Sequence, residues 1–551
     1  MAAKGYDYVI VGAGSAGCTL AGRLTEDPAI SVLLIEAGGW DRDPWIRIPL
    51  GWGKIFSERR HDWMYFTQPE PTLDGRVIEC ARGKVIGGSS SINAMGHVRG
   101  NRADFDRWAA SGLKRLSYAQ VLPYFKKQEN WAGPRSAYRG EGGPLEVCFS
   151  AYADPLTEAY LEAAAAAGHG WTDDYNGAEQ EGFGRLQSTI GHGRRCSAAD
   201  AYLRPALGRR NLAVMTETHV SGITFVGSRA TGIEYSNSHG RGSVTAEREV
   251  ILAAGVIDTP RLLMLSGIGD PNQLRPHRIA PRAPLLGVGR NLRDHLSVAV
   301  EYARKEPGPF HRNMRVDRIA AELVKARLFG RGFATDLPAG WLAFLRANSD
   351  STIPDTQLLF RAGPLSAWPY LSPFRRPFAD GFASRAVLLY PESAGTVALA
   401  SANPADAPLI KQRPLVTDRD RKTLRNGLRL AHALGREAAM RPFVGAELGP
   451  DYRTISDGDL DAHIRATAQT AHHPLGTCRM GLAPDDGAVV DESFRLHGID
   501  GLRAVDASVM PDPVGGNINA AVIMLAEMAA DIIRGRDLLA PILLSSGARE
   551  S

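Results

Sequence analysis

At 551 residues the chain exceeds the roughly 100 to 200 residues of one ordinary domain, so two or more folding units are expected. A composition of 44% hydrophobic and 23% charged residues excludes a disordered or fibrous chain, and 64 basic against 60 acidic residues are too evenly balanced for a nucleic-acid partner. The cysteines, Cys18, Cys80, Cys148, Cys196 and Cys478, are scattered and form no CxxC pair, which argues against disulfides and zinc; no metal site is expected.

The first predicted element is a βαβ unit: a strand over Tyr8 to Val11, a glycine turn, a helix through Leu24, and a second strand over Val32 to Ile35. Met1 to Asp7 runs straight into the first strand and leaves no room for a signal-peptide core, so a cytoplasmic location is expected. The turn reads Gly12-Ala13-Gly14-Ser15-Ala16-Gly17. A GxGxxG pattern is weak by itself and gains meaning between a strand and a helix. Gly12 permits the tight turn, Gly14 lets a pyrophosphate approach the backbone, and Gly17 lets the helix pack close to the strand. The helix amides at Ser15 and Ala16 then meet the phosphates. Glu36, followed by Ala37, ends the second strand where a carboxylate accepts hydrogen bonds from ribose hydroxyls. These features point to an ADP-containing cofactor and do not separate FAD from NAD, which share that moiety.

Glycine and serine crowd residues 83 to 96. A helix is predicted over Pro155 to Ala167, with Asp154 as its N-cap and Pro155 at its first position. Short strands follow over Leu212 to Thr216, Val220 to Val226, Ala230 to Tyr235 and Val250 to Ala254. Residues 304 to 464 differ in texture, with clustered prolines, aromatics and arginines and no glycine fingerprint, so most of a substrate domain is assigned there. Within it, Arg315 to Phe329 reads as a basic amphipathic helix with Ile319, Leu323 and Phe329 on one side, a solvated surface helix rather than one resting on a membrane. The apolar segment Ala520 to Ile533 is broken by Glu527 and Asp531, which argues against a transmembrane anchor. Ser545 to Ser551 reads as a loose tail.

Three further clusters carry a resemblance. Gly83-Lys84-Val85-Ile86-Gly87-Gly88-Ser89-Ser90-Ser91-Ile92-Asn93 resembles the first signature of the glucose-methanol-choline (GMC) oxidoreductase family. Gly255 to Pro260, continuing to Ser266-Gly267-Ile268-Gly269, looks like the second signature, and Gly287 to Leu292 with Asp294-His295 resembles a further segment. His473-Pro474-Leu475-Gly476-Thr477-Cys478 and Val505 to Ser508 through Asn517-Ile518-Asn519 are similar to the family's C-terminal block, so the likeness spans nearly the whole chain in order. It implies FAD as the cofactor, with Gly88, Ser89, Asn93 and Ala94 beside the flavin, Val220 near the adenine, and Asp506, Ala507, Ile518 and Asn519 along the rest of the molecule. It also implies the fold class: α/β, or α+β overall, with a Rossmann-like FAD-binding domain over 1–155, 195–303 and 465–551. A substrate domain built on an antiparallel sheet with flanking helices would occupy 156–194 and 304–464. Val256 and His97 depart from the pattern at positions without chemistry. Ile92 stands where some choline-oxidising members attach FAD through a histidine, so a non-covalent cofactor is expected.

Removing a hydride from an alcohol carbon requires a base for the hydroxyl proton. His473 is the candidate base, and Asn517, at a position that the family fills with histidine or asparagine, would orient the substrate oxygen. His472 competes for the base role, and the family register favours His473. Asn519, two residues after Asn517, would point the same way if the segment were extended. His61, His192 and His295 are read as structural.

The resemblance implies oxidation of a small polar alcohol or polyol to the aldehyde or ketone, with electrons passing to a quinone-type acceptor or O2. Arg194 to Ala198 and Tyr202 to Gly208 look like sorbose dehydrogenases; Gly96 and His472-His473-Pro474 look like pyridoxine oxidase, which lacks asparagine at the place of Asn517. Choline-oxidising members carry a glutamate before Ala-Gly, where this chain has Pro338 before Ala339 and Gly340; cation recognition would then rest on aromatics such as Trp341. The alternatives are a pyridoxine-type oxidase that makes hydrogen peroxide and a hydroxynitrile lyase, which keeps FAD without net redox.

Overall fold

Two sheets organise the chain in the computed structural model, which describes residues 5–544; the tail read at Ser545 to Ser551 lies outside them. In the first sheet the parallel strands Leu212–Met215, Val32–Ile35, Gly5–Val11 and Gly240–Leu252 lie side by side. Val32–Ile35 is buried along its whole length, and a strand covered on both faces reads as an unbroken apolar run. Gly240–Leu252 has 13 residues and serves two neighbours on its other edge. Its first half pairs antiparallel with Arg229–Asn237, and its last residues pair parallel with Leu502–Ala504. The sequence showed only the apolar end of this strand, because the polar half takes its order from the hairpin with Arg229–Asn237 rather than from burial.

The helices Ser15–Leu24 and Asn519–Ile533 pack against each other beside this sheet. Glu527, the charge that interrupts the second helix, is fully buried and meets Arg23 at 2.7 Å, Lys127 at 3.1 Å and the Tyr202 hydroxyl at 2.8 Å. A buried carboxylate needs such partners, since removing them leaves an uncompensated charge. Among the described residues no helix is long and apolar enough to cross a membrane.

The second sheet is antiparallel, ordered Val444–Glu447, Leu296–Arg304, Gly381–Leu388, Thr356–Arg361, Trp341–Leu345 and Gly182–Arg185. One face sends Val298, Val300, Leu358, Phe360 and Ala386 into a core shared with the helices Pro155–Ala166 and Asp418–Arg436. Asp154 caps the first of these by accepting from Leu156 N–H at 3.0 Å. The strand Leu296–Arg304 and the short pair Gln469–Thr470, both expected with the dinucleotide unit, belong to this second sheet. Their pairing sets Leu296 opposite Thr470, and Ala471 N–H donates to the His295 carbonyl at 2.7 Å. The chain thus leaves the second sheet at two adjacent places, Asp294-His295 and Ala471 to His473, and brings them together.

The surface helix Val316–Phe329 buries Ile319 and Ala326, with Leu323 half-buried, while Phe329 is 63% exposed. At about 100° per residue, position 329 falls some 80° away from the stripe through 319, 323 and 326, so Phe329 does not belong to the packed side that the sequence suggested.

Candidate active site

The two sheets share a cavity of about 440 Å³, a size that suits a cofactor or substrate. Its wall includes Gly12, Gly14, Ser15, Ala16, Glu36, Ala37 and Val220 from the first sheet and the helix that follows its glycine turn, and Ser89, Asn93 and Ala94 from the glycine- and serine-rich segment. Asp506, Ala507, Asn517, Ile518, Asn519, His472, His473 and Trp341 complete it. Gly17 and Gly88 stand behind this wall. A Cβ on Gly17 would run into the Gly12 carbonyl, and one on Gly88 would sit 2.7 Å from the Gly14 Cα. Both act on the shape of the turn rather than on what it holds.

The dinucleotide end has the features that a pyrophosphate needs. Gly14, at the N-terminus of the helix Ser15–Leu24, offers no side-chain cap, so the first-turn amides are left for an anion. A Cβ there would touch nothing nearer than the Ala253 carbonyl at 4.0 Å. Glu36 accepts from Ala13 N–H at 2.9 Å and Gly38 N–H at 2.8 Å, and burial pushes its carboxyl up to about 7. Further donors, such as ribose hydroxyls, would stabilise its charged form. Asp506 accepts from Gly255 N–H at 2.9 Å, Thr259 Oγ1 at 2.6 Å and Ser508 N–H at 2.7 Å, and so braces the wall. The residues present fit an ADP-containing cofactor.

Arg195, almost fully buried, holds the serine-rich segment from behind. It donates to the Asn93 carbonyl at 2.7 Å, to Asn93 Oδ1 at 2.8 Å and to the Ser90 carbonyl at 3.2 Å. Ile92 lines the cavity with an apolar side chain. Asn519 corrects the sequence reading. The segment is not extended, because Ile518 is helical at φ −88°, ψ −10° and Asn519 opens the helix Asn519–Ile533. Asn519 Oδ1 accepts from Ser15 Oγ at 2.6 Å, whereas Asn517 turns toward His473.

His473 lies at the centre of the other end, 9% exposed. Its Nε2 is 3.1 Å from Asn517 Nδ2, its Nδ1 is 3.1 Å from His295 Nδ1, and its backbone N–H donates to Asp294 Oδ1 at 2.9 Å. Gln357 Nε2 donates to Asn517 Oδ1 at 3.5 Å. Burial first, and then His295 and His472, hold the His473 imidazole well below the usual 6.5. His295 is likewise pushed down to about 4 by burial, and Asp294 up to about 6. The sequence reading set His295 aside as structural, yet it touches His473. The signal was present in the Asp294-His295 pair quoted for the resemblance.

His472 has different surroundings. Its Nε2 is 3.6 Å from Glu79, its ring meets Phe56 edge-on at 5.7 Å, and its carbonyl accepts from Arg82 at 2.9 Å. Burial and the nearby arginines push it down to about 3. Trp341 packs against Trp171 with ring centroids 4.8 Å apart. Among the described residues, no group of three or more His, Cys, Asp or Glu side chains is placed to hold a metal.

Family models described as GMC oxidoreductase match residues 6–297 and 391–526. The chain is 42% identical over 545 residues to the mitochondrial choline dehydrogenase of Homo sapiens, covering 97% of this chain and 90% of that protein. It is 39% identical over 548 residues to an oxygen-dependent choline dehydrogenase of Staphylococcus xylosus, covering 98% and 96%. Pyridoxine 4-oxidase from Mesorbium loti matches in structure with a TM-score of 0.85 at 32% identity, covering 97% of this chain and 100% of that one. A formate oxidase variant from Aspergillus oryzae RIB40 matches with a TM-score of 0.88 at 28% identity, covering 97% and 98%.

Proposed function

This chain belongs to the GMC oxidoreductase family and is an FAD-dependent alcohol oxidoreductase, and from that premise we propose that His473 is its base. The observation that carries the reading is a run of hydrogen-bond contacts from Gln357 through Asn517 and His473 to His295. The Gln357 amide donates to Asn517 Oδ1, and the Asn517 amide nitrogen, which can only donate, lies 3.1 Å from His473 Nε2; with Nε2 accepting, the proton of the neutral imidazole sits on Nδ1 and faces His295 Nδ1. That order leaves the lone pair of His473 on Nε2, beside the cavity, which is the tautomer a base requires. With its pKa well below 6.5, the imidazole is neutral at pH 7.

A small polar alcohol whose oxygen comes between these two groups gives its proton to His473 Nε2 and accepts from the Asn517 amide. The carbinol carbon loses a hydride and the carbonyl forms. The cofactor, held by the turn over residues 12–17 with Glu36, Val220, Ser89, Asn93, Ala94, Asp506 and Ala507, supplies the hydride acceptor when bound. His295 receives the other side of the imidazole hydrogen-bond pair and keeps the ring from rotating. Ile92 offers no nucleophile, so the cofactor is held non-covalently. A quinone-type acceptor or O2 would then take up the two electrons. In this reading the first sheet and its helices form the cofactor domain and the antiparallel sheet forms the substrate domain.

The test is anaerobic mixing of the yellow protein with primary alcohols, polyols, pyridoxine and choline while the visible band of oxidised flavin is followed. At least one alcohol bleaches it; a panel that leaves the band unchanged overturns the reading. Acid precipitation releases the flavin to the supernatant if it is held non-covalently.

A further inference from the structure

We propose that Arg361 and Arg385 form an anion-binding subsite in the cavity, so that the alcohol oxidised here carries a carboxylate or phosphate group away from its reacting hydroxyl. This rests on the assignment of the cavity as the site of alcohol oxidation.

Both arginines line the cavity on strands of the second sheet. Arg385 pairs in register with Leu359, and Arg361 with Ala383, so the two are diagonal neighbours on one face. Diagonal neighbours lie about 7–8 Å apart, within reach of long side chains, and like charges so placed repel. Their compensation is thin. Arg361 has a loose ion pair with Glu301 at 3.7 Å, and that carboxylate is 51% exposed. Among the described residues the buried Arg361 Nε has no hydrogen-bond partner, and the hydrogen bond that Arg385 makes goes to the neutral Gln469 amide oxygen at 3.3 Å.

Burial and the neighbouring guanidinium push Arg361 down to about 10 and burial lowers Arg385, yet a guanidinium stays charged at neutral pH. Two partly buried cations with one shared, exposed carboxylate lack an anion. The planar guanidinium fork matches a carboxylate or a phosphate in two-point contact.

The sheet also supplies a ruler. Gln357, Leu359 and Arg361 alternate onto the same face, and Gln357 contacts Asn517 at the reacting end. At about 3.4 Å per residue, Arg385, opposite Leu359, lies some 7 Å along the strand from Gln357, and Arg361 some 14 Å. The anion is therefore separated from the carbinol by several bonds, as in an ω-hydroxy acid or the phosphate ester of a diol. A quaternary ammonium would face the same two guanidinium groups, so this pocket opposes the substrate in the names of the choline dehydrogenases.

Flavin reduction under anaerobic conditions, measured with 6-hydroxyhexanoate, the monophosphate of 1,6-hexanediol, 1,6-hexanediol itself and choline, tests the subsite. One anionic substrate is expected to exceed the diol by roughly tenfold or more in efficiency, as a charge-assisted pair allows. Whichever anion leads identifies its chemistry. In the double variant Arg361→Met with Arg385→Met, the ratio of anion to diol falls toward one. Anions no better than the diol, a ratio that survives both substitutions, or choline ahead of all three would overturn the subsite. If no alcohol reduces the flavin, the oxidation reading fails, and the melting temperature with and without adipate still decides the subsite. A rise lost in the double variant supports it, and no rise overturns it.

Discussion

The cofactor side and the substrate side of the cavity are built in opposite ways. On the cofactor side the glycine turn presents backbone and small residues, Gly12, Gly14, Ala16 and Ala37, with Gly17 and Gly88 packed behind them. On the substrate side the antiparallel sheet presents the long side chains of Leu359, Arg361 and Arg385, with the buried Gln357 on the same strand face. A backbone wall recognises what every such cofactor shares, its pyrophosphate and ribose. A side-chain wall can change one residue at a time and so sets what differs, the alcohol.

That contrast can be broken from either side. The largest effect is expected from Gly17→Val, because even a Cβ meets the Gly12 carbonyl there. The protein should purify with little or no flavin, read from the ratio of visible to 280 nm absorbance; a fully yellow variant would show that the turn tolerates bulk. His473→Ala comes next: flavin content is unchanged and flavin reduction slows by roughly 100-fold or more, about 2.7 kcal/mol of barrier. Unchanged reduction would move the base role elsewhere.

His295→Ala removes the partner that orients His473, and a loss of roughly tenfold is expected, in keeping with one hydrogen bond to a reacting group. If reduction is as fast as in the parent, the His295 contact is incidental. Gln357→Leu should cost less, a few-fold, since its bond to Asn517 is long at 3.5 Å.

The pH profile sharpens the same comparison with the smallest change. With His473 as the proposed base, the reactive form is the neutral imidazole, and a pKa held well below 6.5 keeps it populated as the pH falls. Flavin reduction is therefore expected to be nearly level from pH 8 to 6.5 and to decline only in more acidic solution. A base with the ordinary value would be half protonated at about pH 6.5, so a halved rate at that pH would contradict the buried, neutral His473.

Much of the cofactor end was legible because its signals are local. Gly12 to Gly17, Glu36 and the strands around them are close in sequence, and their spacing carries their geometry. His473 and Asn517 were legible through the likeness to the family. The place of His295 beside His473 was not legible because it depends on the pairing of Leu296 with Thr470, across more than 170 residues. The direction of Asn519 was not legible because the helix begins there, which turns its side chain to Ser15 rather than alongside Asn517.

The sequence alone determined a βαβ nucleotide unit, an ADP-containing ligand and, by likeness, the alcohol chemistry, with His473 as the candidate base. Only the tertiary structure decided which side chains surround that histidine, where the two sheets exchange the chain, and that Arg361 and Arg385 stand together with too little negative charge between them. The physical reason is register. Alternation shows that a strand has two faces, but which residues of distant strands meet on one face is set by pairing, and pairing appears only when the sheet has formed.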